Sequence, residues 1–214
     1  MRMIQEFAQV LARISALARS GNLEEARESL QCSLKDWFDL DSDSVHETSD
    51  SELRIKLMSD GPTSLAHAKC VMLAGLIRET GLNLMARNQN EKGIVCQIKA
   101  LDLLLRFPAD DPGSELPQYD FLIEELRIAL KNFPLPSGTL AVLMEHHERH
   151  GQFSRAEDCL FELLEAVEEK QAVHQLGEAF YKRLSGKTDG ELEAGMLSRQ
   201  EVVSGLKDLL AVMQ

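Results

Sequence analysis

The sequence predicts an all-α chain of antiparallel helical hairpins, about eight helices in all. Three observations carry that expectation. Apolar residues recur at three- and four-residue spacings, and no segment of useful length alternates with period two. Leu, Ala, Glu and Arg abound while aromatics make up only 5%, a balance that favours helix. A turn motif also repeats: residues 19–30, RSGNLEEARESL, match residues 149–160, RHGQFSRAEDCL.

The elements follow in order. Met3, Phe7, Val10, Ile14 and Leu17 form one apolar row of a helix over 3–19, and Ile4, Ala8, Leu11 and Ala18 form a second, adjacent row. That face is wider than one neighbouring helix needs. It predicts either a homodimer through the 3–19 helix or cover by the 53–58 segment or the C-terminal helix. Gly21-Asn22 breaks the pattern, and Asn22 with Glu25 resembles a capping pair. The return helix carries Ala26, Leu30, Leu34 and Trp37 on one face.

Residues 39–52, DLDSDSVHETSDSE, read as an acidic loop with a short helix nearby, and SDGPT (59–63) as a turn. CVMLAGLI (70–77) is nearly all apolar, too short to cross a membrane, and suits a central helix. ARNQNEKG (86–93) turns the chain, and Ile94, Ile98, Leu101 and Leu105 mark the return, ending at Phe107-Pro108. PADDPGSELP (108–117) is a loop because its prolines forbid helix. Leu122, Leu126, Ala129 and Phe133 mark the next helix, closed by PLP (134–136).

The repeated turn follows. Val173, Leu176 and Phe180 then give a helix, SGKTDGE (185–191) a loop, and Ser198 with Glu201 caps a last helix bearing Val202, Leu206, Leu209, Leu210 and Met213. The expected layout is one domain over 1–214, with hairpins near 3–38, 64–107 and 138–170. Further helices are expected near 118–133, 171–185 and 198–214.

Composition excludes several functions. With 35 acidic and 23 basic residues the net charge is −12, which repels phosphate backbones and anionic lipid. No nucleic-acid or membrane partner is expected, and a basic protein surface is the better match. The cysteines, Cys32, Cys70, Cys96 and Cys159, form no CxxC pair and read as buried thiols of a reducing compartment. Arg2, Glu6, Arg13 and Arg19 interrupt the N-terminal apolar stretch, so neither a signal-peptide core nor a span is expected, and the localisation expected is cytoplasmic.

The repeated stretches share Arg-x-Gly-(Asn/Gln)-(Leu/Phe)-x-x-Ala-x-x-x-Leu. Gly21 and Gly151 sit where a left-handed turn residue ends a helix. Ala26 and Ala156 are small where two helices approach, with Leu30 and Leu160 one turn later. Upstream, Val10, Ile14 and Leu17 align with Leu140, Met144 and His147. A fainter third copy, NQNEKGIVCQIKAL (88–101), has Asn88 for the turn glycine and Gly93 for the small alanine.

This pattern resembles the tetratricopeptide repeat. More narrowly, the RMI…LARI run of Arg2 to Ile14 and the GQF…FELL run of Gly151 to Leu164 resemble a bacterial TPR-like family of unknown function. The resemblance implies a right-handed α-solenoid and no activity.

The histidines are read inside that repeat. A zinc-protease helix needs His-Glu-x-x-His, whereas here Glu148 stands two after His146 and His150 three after His147. His146 and His150 at i and i+4 can share a metal, but no third ligand is evident, so no metal and no cofactor is expected. There is no phosphate loop, since AGLIRETG (74–81) lacks its Lys-Ser/Thr end, and no Gly-x-Ser-x-Gly elbow. The expectation is a non-catalytic protein-interaction module, with Ala141, Glu145, Glu148 and Arg149 as the candidate partner-binding face. The alternative is a metal- or small-ligand-binding protein, or a metal-dependent hydrolase, using the His146/His150 region.

Overall fold

The computed structural model describes residues 2–58, 63–106 and 117–211. Residues 59–62 of the SDGPT turn, the Phe107-Pro108 helix end, residues 108–116 of the proline-rich loop and Met213 lie outside the described residues, as do the side chains of Met3 and Ile4. Among the described residues there are helices and no strands. They are α1 (Arg2–Arg19), α2 (Leu23–Phe38), α3 (Asp50–Met58), α4 (Thr63–Ala86), α5 (Asn90–Leu105), α6 (Pro117–Ala129), α7 (Ser137–Arg149), α8 (Phe153–Ala166), α9 (Gln171–Ser185), α10 (Asp189–Ala194) and α11 (Arg199–Ala211).

Eleven helices thus stand where about eight are expected from periodicity. One addition is α10, which begins within the stretch read as a loop and runs three residues past it. It closes because Thr188 and Glu191 form a capping box: the Thr188 N–H donates to the Glu191 carboxylate at 2.8 Å, and the Glu191 N–H donates to the Thr188 hydroxyl at 3.3 Å. The same reciprocal bonding joins Ser198 and Glu201 before α11, as expected.

The chain divides into two compact units, residues 1–134 and 135–214. In the first, α4 packs against α1, α2, α3, α5 and α6, as its unbroken apolar run requires. The α1/α2 and α4/α5 pairs are antiparallel hairpins. Phe7 and Leu11 meet α4 at Gly75 while Ser15 reaches Glu79, so α1 and α4 run parallel and in register. The acidic loop is pinned to α2: Arg27 holds Asp43 at 2.9 Å, and Gln31 accepts from the Ser42 hydroxyl at 2.6 Å. In the second unit α7 and α8 form the hairpin, α9 packs on α8, and α11 packs on α9.

All three hairpin turns have one geometry. Gly21, Asn88 and Gly151 are left-handed, with φ of 83°, 63° and 68°. The residue after each donates its N–H back into the finished helix: Asn22 to Leu17 O at 3.0 Å, Gln89 to Leu84 O at 2.9 Å, Gln152 to His147 O at 2.8 Å. Those bonds satisfy carbonyls that a helix end leaves open. The expected Asn22–Glu25 cap is corrected: Asn22, Gln89 and Gln152 occupy the N-cap with similar backbone angles and no side-chain capping bond. The backbone turn itself starts the next helix.

Ala26, Ala156, Leu30 and Leu160 are fully enclosed. At the third crossing the small residue is Gly93, where a Cβ would lie 2.7 Å from the Gly81 carbonyl and 2.3 Å from Met85 Cγ. The buried row of α2 ends on Phe38, with Trp37 half-buried beside it. Leu130 takes the buried position expected of Ala129, which is exposed. Of the cysteines, Cys70, Cys96 and Cys159 are buried, while Cys32 is exposed, contrary to expectation.

Overpacking these crossings has a predictable cost. Ala26→Leu and Ala156→Leu are each expected to lose about 1–3 kcal/mol, and Gly93→Ala a similar amount because the backbone itself must shift. Urea unfolding of the three variants checks this, and three unchanged midpoints would place the crossings elsewhere.

Candidate functional site

The residues singled out from the sequence fall into two groups. Gly21, Ala26, Leu30, Gly151, Ala156 and Leu160 serve hairpin turns and crossings, as described above. The second group lies on α7. Glu145 and Arg149 are exposed and Ala141 is half-buried, but Glu148 is already engaged. Arg183 of α9 forks onto its carboxylate at 2.6 and 2.8 Å, so this part of the candidate partner face is an internal clasp. Nothing in the local spacing reveals Arg183 as the partner, since the two residues are far apart in sequence.

The α7 histidines are mostly structural in their bonding. His147 is buried, and its Nδ1 donates to Gln152 Oε1 at 2.6 Å, which fits its alignment with Leu17 on the face toward α8. His150 donates from Nδ1 to the His146 carbonyl at 2.8 Å. The His146 and His150 rings stack with centroids 4.2 Å apart. His146 is 6% exposed. Burial, with the neighbouring His150, His147 and Arg149 charges, pushes its pKa down to about 3, so it is a neutral ring over the ordinary pH range.

The first unit holds a feature the sequence half-announces. Part of the second apolar row of α1, Ala8 and Leu11, lies beside Gly75 of α4. It lines an open groove of about 290 Å³ bounded by α1, α4 and α6. One end is apolar, with Phe7, Leu11, Val71, Phe121 and Leu122 around Gly75. Phe121 is 64% exposed, and Ala8 and Ala12 of α1 are exposed beside it.

The other end is polar. Arg78 donates to Glu79 at 2.6 Å and lies 3.2 Å from Glu125. Glu79 is buried, and burial raises its pKa against the opposing pull of Arg78 and a hydrogen bond with Ser15. Leu11 and Ala8 of this groove are legible in the α1 pattern. Phe121, Arg78, Glu79 and Glu125 are not, because only the placement of α6 beside α4 brings them there. An exposed phenylalanine one turn before a glutamate on α6 is the single local signal.

Burial pushes the Cys96 thiol up to about 12 and the Cys70 thiol higher still, so both stay protonated and unreactive. Among the described residues no helix is long and apolar enough to cross a membrane.

Residues 1–214 match a family of unknown function, DUF6483, and the chain belongs to that family. No curated protein and no solved structure matches it.

His146 makes stability depend on pH. Its native pKa lies below the unfolded value of 6.5, so between pH 6.5 and about 3 the unfolded chain binds the proton that the native ring refuses. Stability present above pH 6.5 is expected to fall by up to about 1.4 kcal/mol for each pH unit below it. His146→Gln is expected to flatten that slope in urea titrations at pH 7, 6 and 5, and an identical slope in the variant would show that His146 does not carry it.

Proposed function

We propose that this member of the family is a non-catalytic protein-interaction module, a TPR-like stack of hairpins that receives part of another protein in the α1/α4/α6 groove. The observation that carries the reading is the open apolar groove itself, with Phe121 and the small side chains of α1 turned to solvent at its mouth. Contiguous exposed apolar surface bordered by polar groups is characteristic of interaction sites.

The stacked-repeat reading has independent support. The same left-handed turn closes each of the three hairpins. Within the first unit α1, α4 and α6 lie side by side, α1 and α4 in parallel register, an arrangement in which repeated first helices form a common recognition surface. The protonated buried thiols and the carboxylates already held by Arg78 favour binding over catalysis.

The groove's volume also sits near the lower end of small-molecule sites, which favours a second reading as a small-ligand protein.

The two readings separate under one experiment. Tagged wild type, Leu11→Glu and Phe121→Glu are used for capture from native extract with quantitative mass spectrometry, after circular dichroism establishes equal helicity. A partner retained by wild type and depleted about tenfold or more in both variants is the expected result. Capture unaffected by either charge would overturn the interaction reading. Metabolite-induced stabilisation lost in both variants would then favour the small-ligand one.

A further inference from the structure

The two ends of the groove differ in chemistry, and the difference specifies an occupant. At one level Phe7, Leu11, Val71 and Phe121 present carbon, and at the next Ser15, Arg78, Glu79 and Glu125 present polar atoms. The step is the same on all three walls: Leu11 to Ser15, Gly75 to Glu79 and Phe121 to Glu125 are each one helical turn, about 6 Å.

At the polar level one guanidinium serves two carboxylates, Glu79 at 2.6 Å and Glu125 at 3.2 Å. Arg19 beyond Ser15 adds a weaker favourable field at Glu79, and its Nε is bonded to the Ser15 carbonyl. A carboxylate offers about four acceptor positions, so Glu125, half-exposed at the rim, can take a further donor beyond Arg78. Bordering apolar walls strengthen any charge pairing made there.

Resting on the reading of this groove as an interaction site, we propose that its occupant is an amphipathic helix of another protein carrying a large apolar side chain and an arginine or lysine three or four residues apart. The apolar side chain seats among Leu11, Val71 and Phe121, and the cation lies against the half-exposed carboxylate of Glu125. A spacing of three or four residues puts two side chains on one helix face about one turn apart, which matches the step on the groove walls. The net charge of −12 attracts a basic segment and opposes the approach of a second copy. The groove, at about 290 Å³, has room for one large apolar anchor.

The test uses labelled helical peptides of about 20 residues on an Ala/Gln background, with Leu and Arg at i and i+4, read by fluorescence anisotropy against the full chain. Controls replace Arg by Glu, replace Leu by Ala, or move Arg to i+2. The parent peptide is expected to bind saturably and weaken with salt, and each control to bind about tenfold or more weakly. Glu125→Gln, at the half-exposed rim, is expected to weaken the Arg peptide while leaving an Arg→Ala peptide unchanged.

Equal affinity of the parent and the Arg→Glu peptide overturns the proposal. If both are then lost on Leu11→Glu, the groove remains an interaction site and only the charge rule fails. Absence of all peptide binding also overturns it, and a dimer in sedimentation that Leu11→Glu splits would assign the groove to a second copy of this chain.

Discussion

A single residue held at positive φ between two helices is the constraint on which the hairpins depend. At Gly21, Asn88 and Gly151 the chain enters the left-handed region, and the next N–H folds back onto a carbonyl of the finished helix. That one backbone arrangement ends a helix, satisfies its open acceptor and launches the return helix without a side-chain cap. Glycine takes the conformation at no steric cost, and asparagine tolerates it. The third hairpin is faint in sequence yet equal in geometry for this reason.

Once the turns are set, the spacing between helices is decided by the small residues one turn later. Ala26 and Ala156 are enclosed, and Gly93 lies so close to Gly81 that a methyl group would strike backbone. Close approach lets α4, apolar on nearly every side, be covered by neighbours around most of its circumference. The incomplete cover on the side between α1 and α6 is the groove. The groove is thus a consequence of the packing of α4, and its polar end is the place where Arg78 and Glu79, just after the apolar run of that helix, meet one another and Glu125.

Legibility in the sequence followed the range of the interaction. The double apolar row of α1 is a local pattern, and it marks one wall of the groove. The Ser198–Glu201 cap was equally visible, and the Thr188–Glu191 pair has the same spacing, although it lies in a stretch whose glycines suggested a loop. On α7 the pairing of Glu148 is not legible, because its partner, Arg183, lies on a later helix. The buried neutral state of His146 likewise depends on what encloses it and on two neighbouring histidines, which no spacing of His and Glu encodes.

By itself the sequence determined the all-helical class, the positions of the reversals and the small residues at the crossings, because each is set by φ preference, Cβ sterics or a 3.6-residue period acting within a few positions. Only the tertiary structure decided which charged residues meet. The placement of α6 against α4 and α5 creates the groove and joins Phe121 and Glu125 to Leu11, Arg78 and Glu79. That placement depends on packing between segments distant in the chain, where many side chains contribute small energies and no local pattern records the sum.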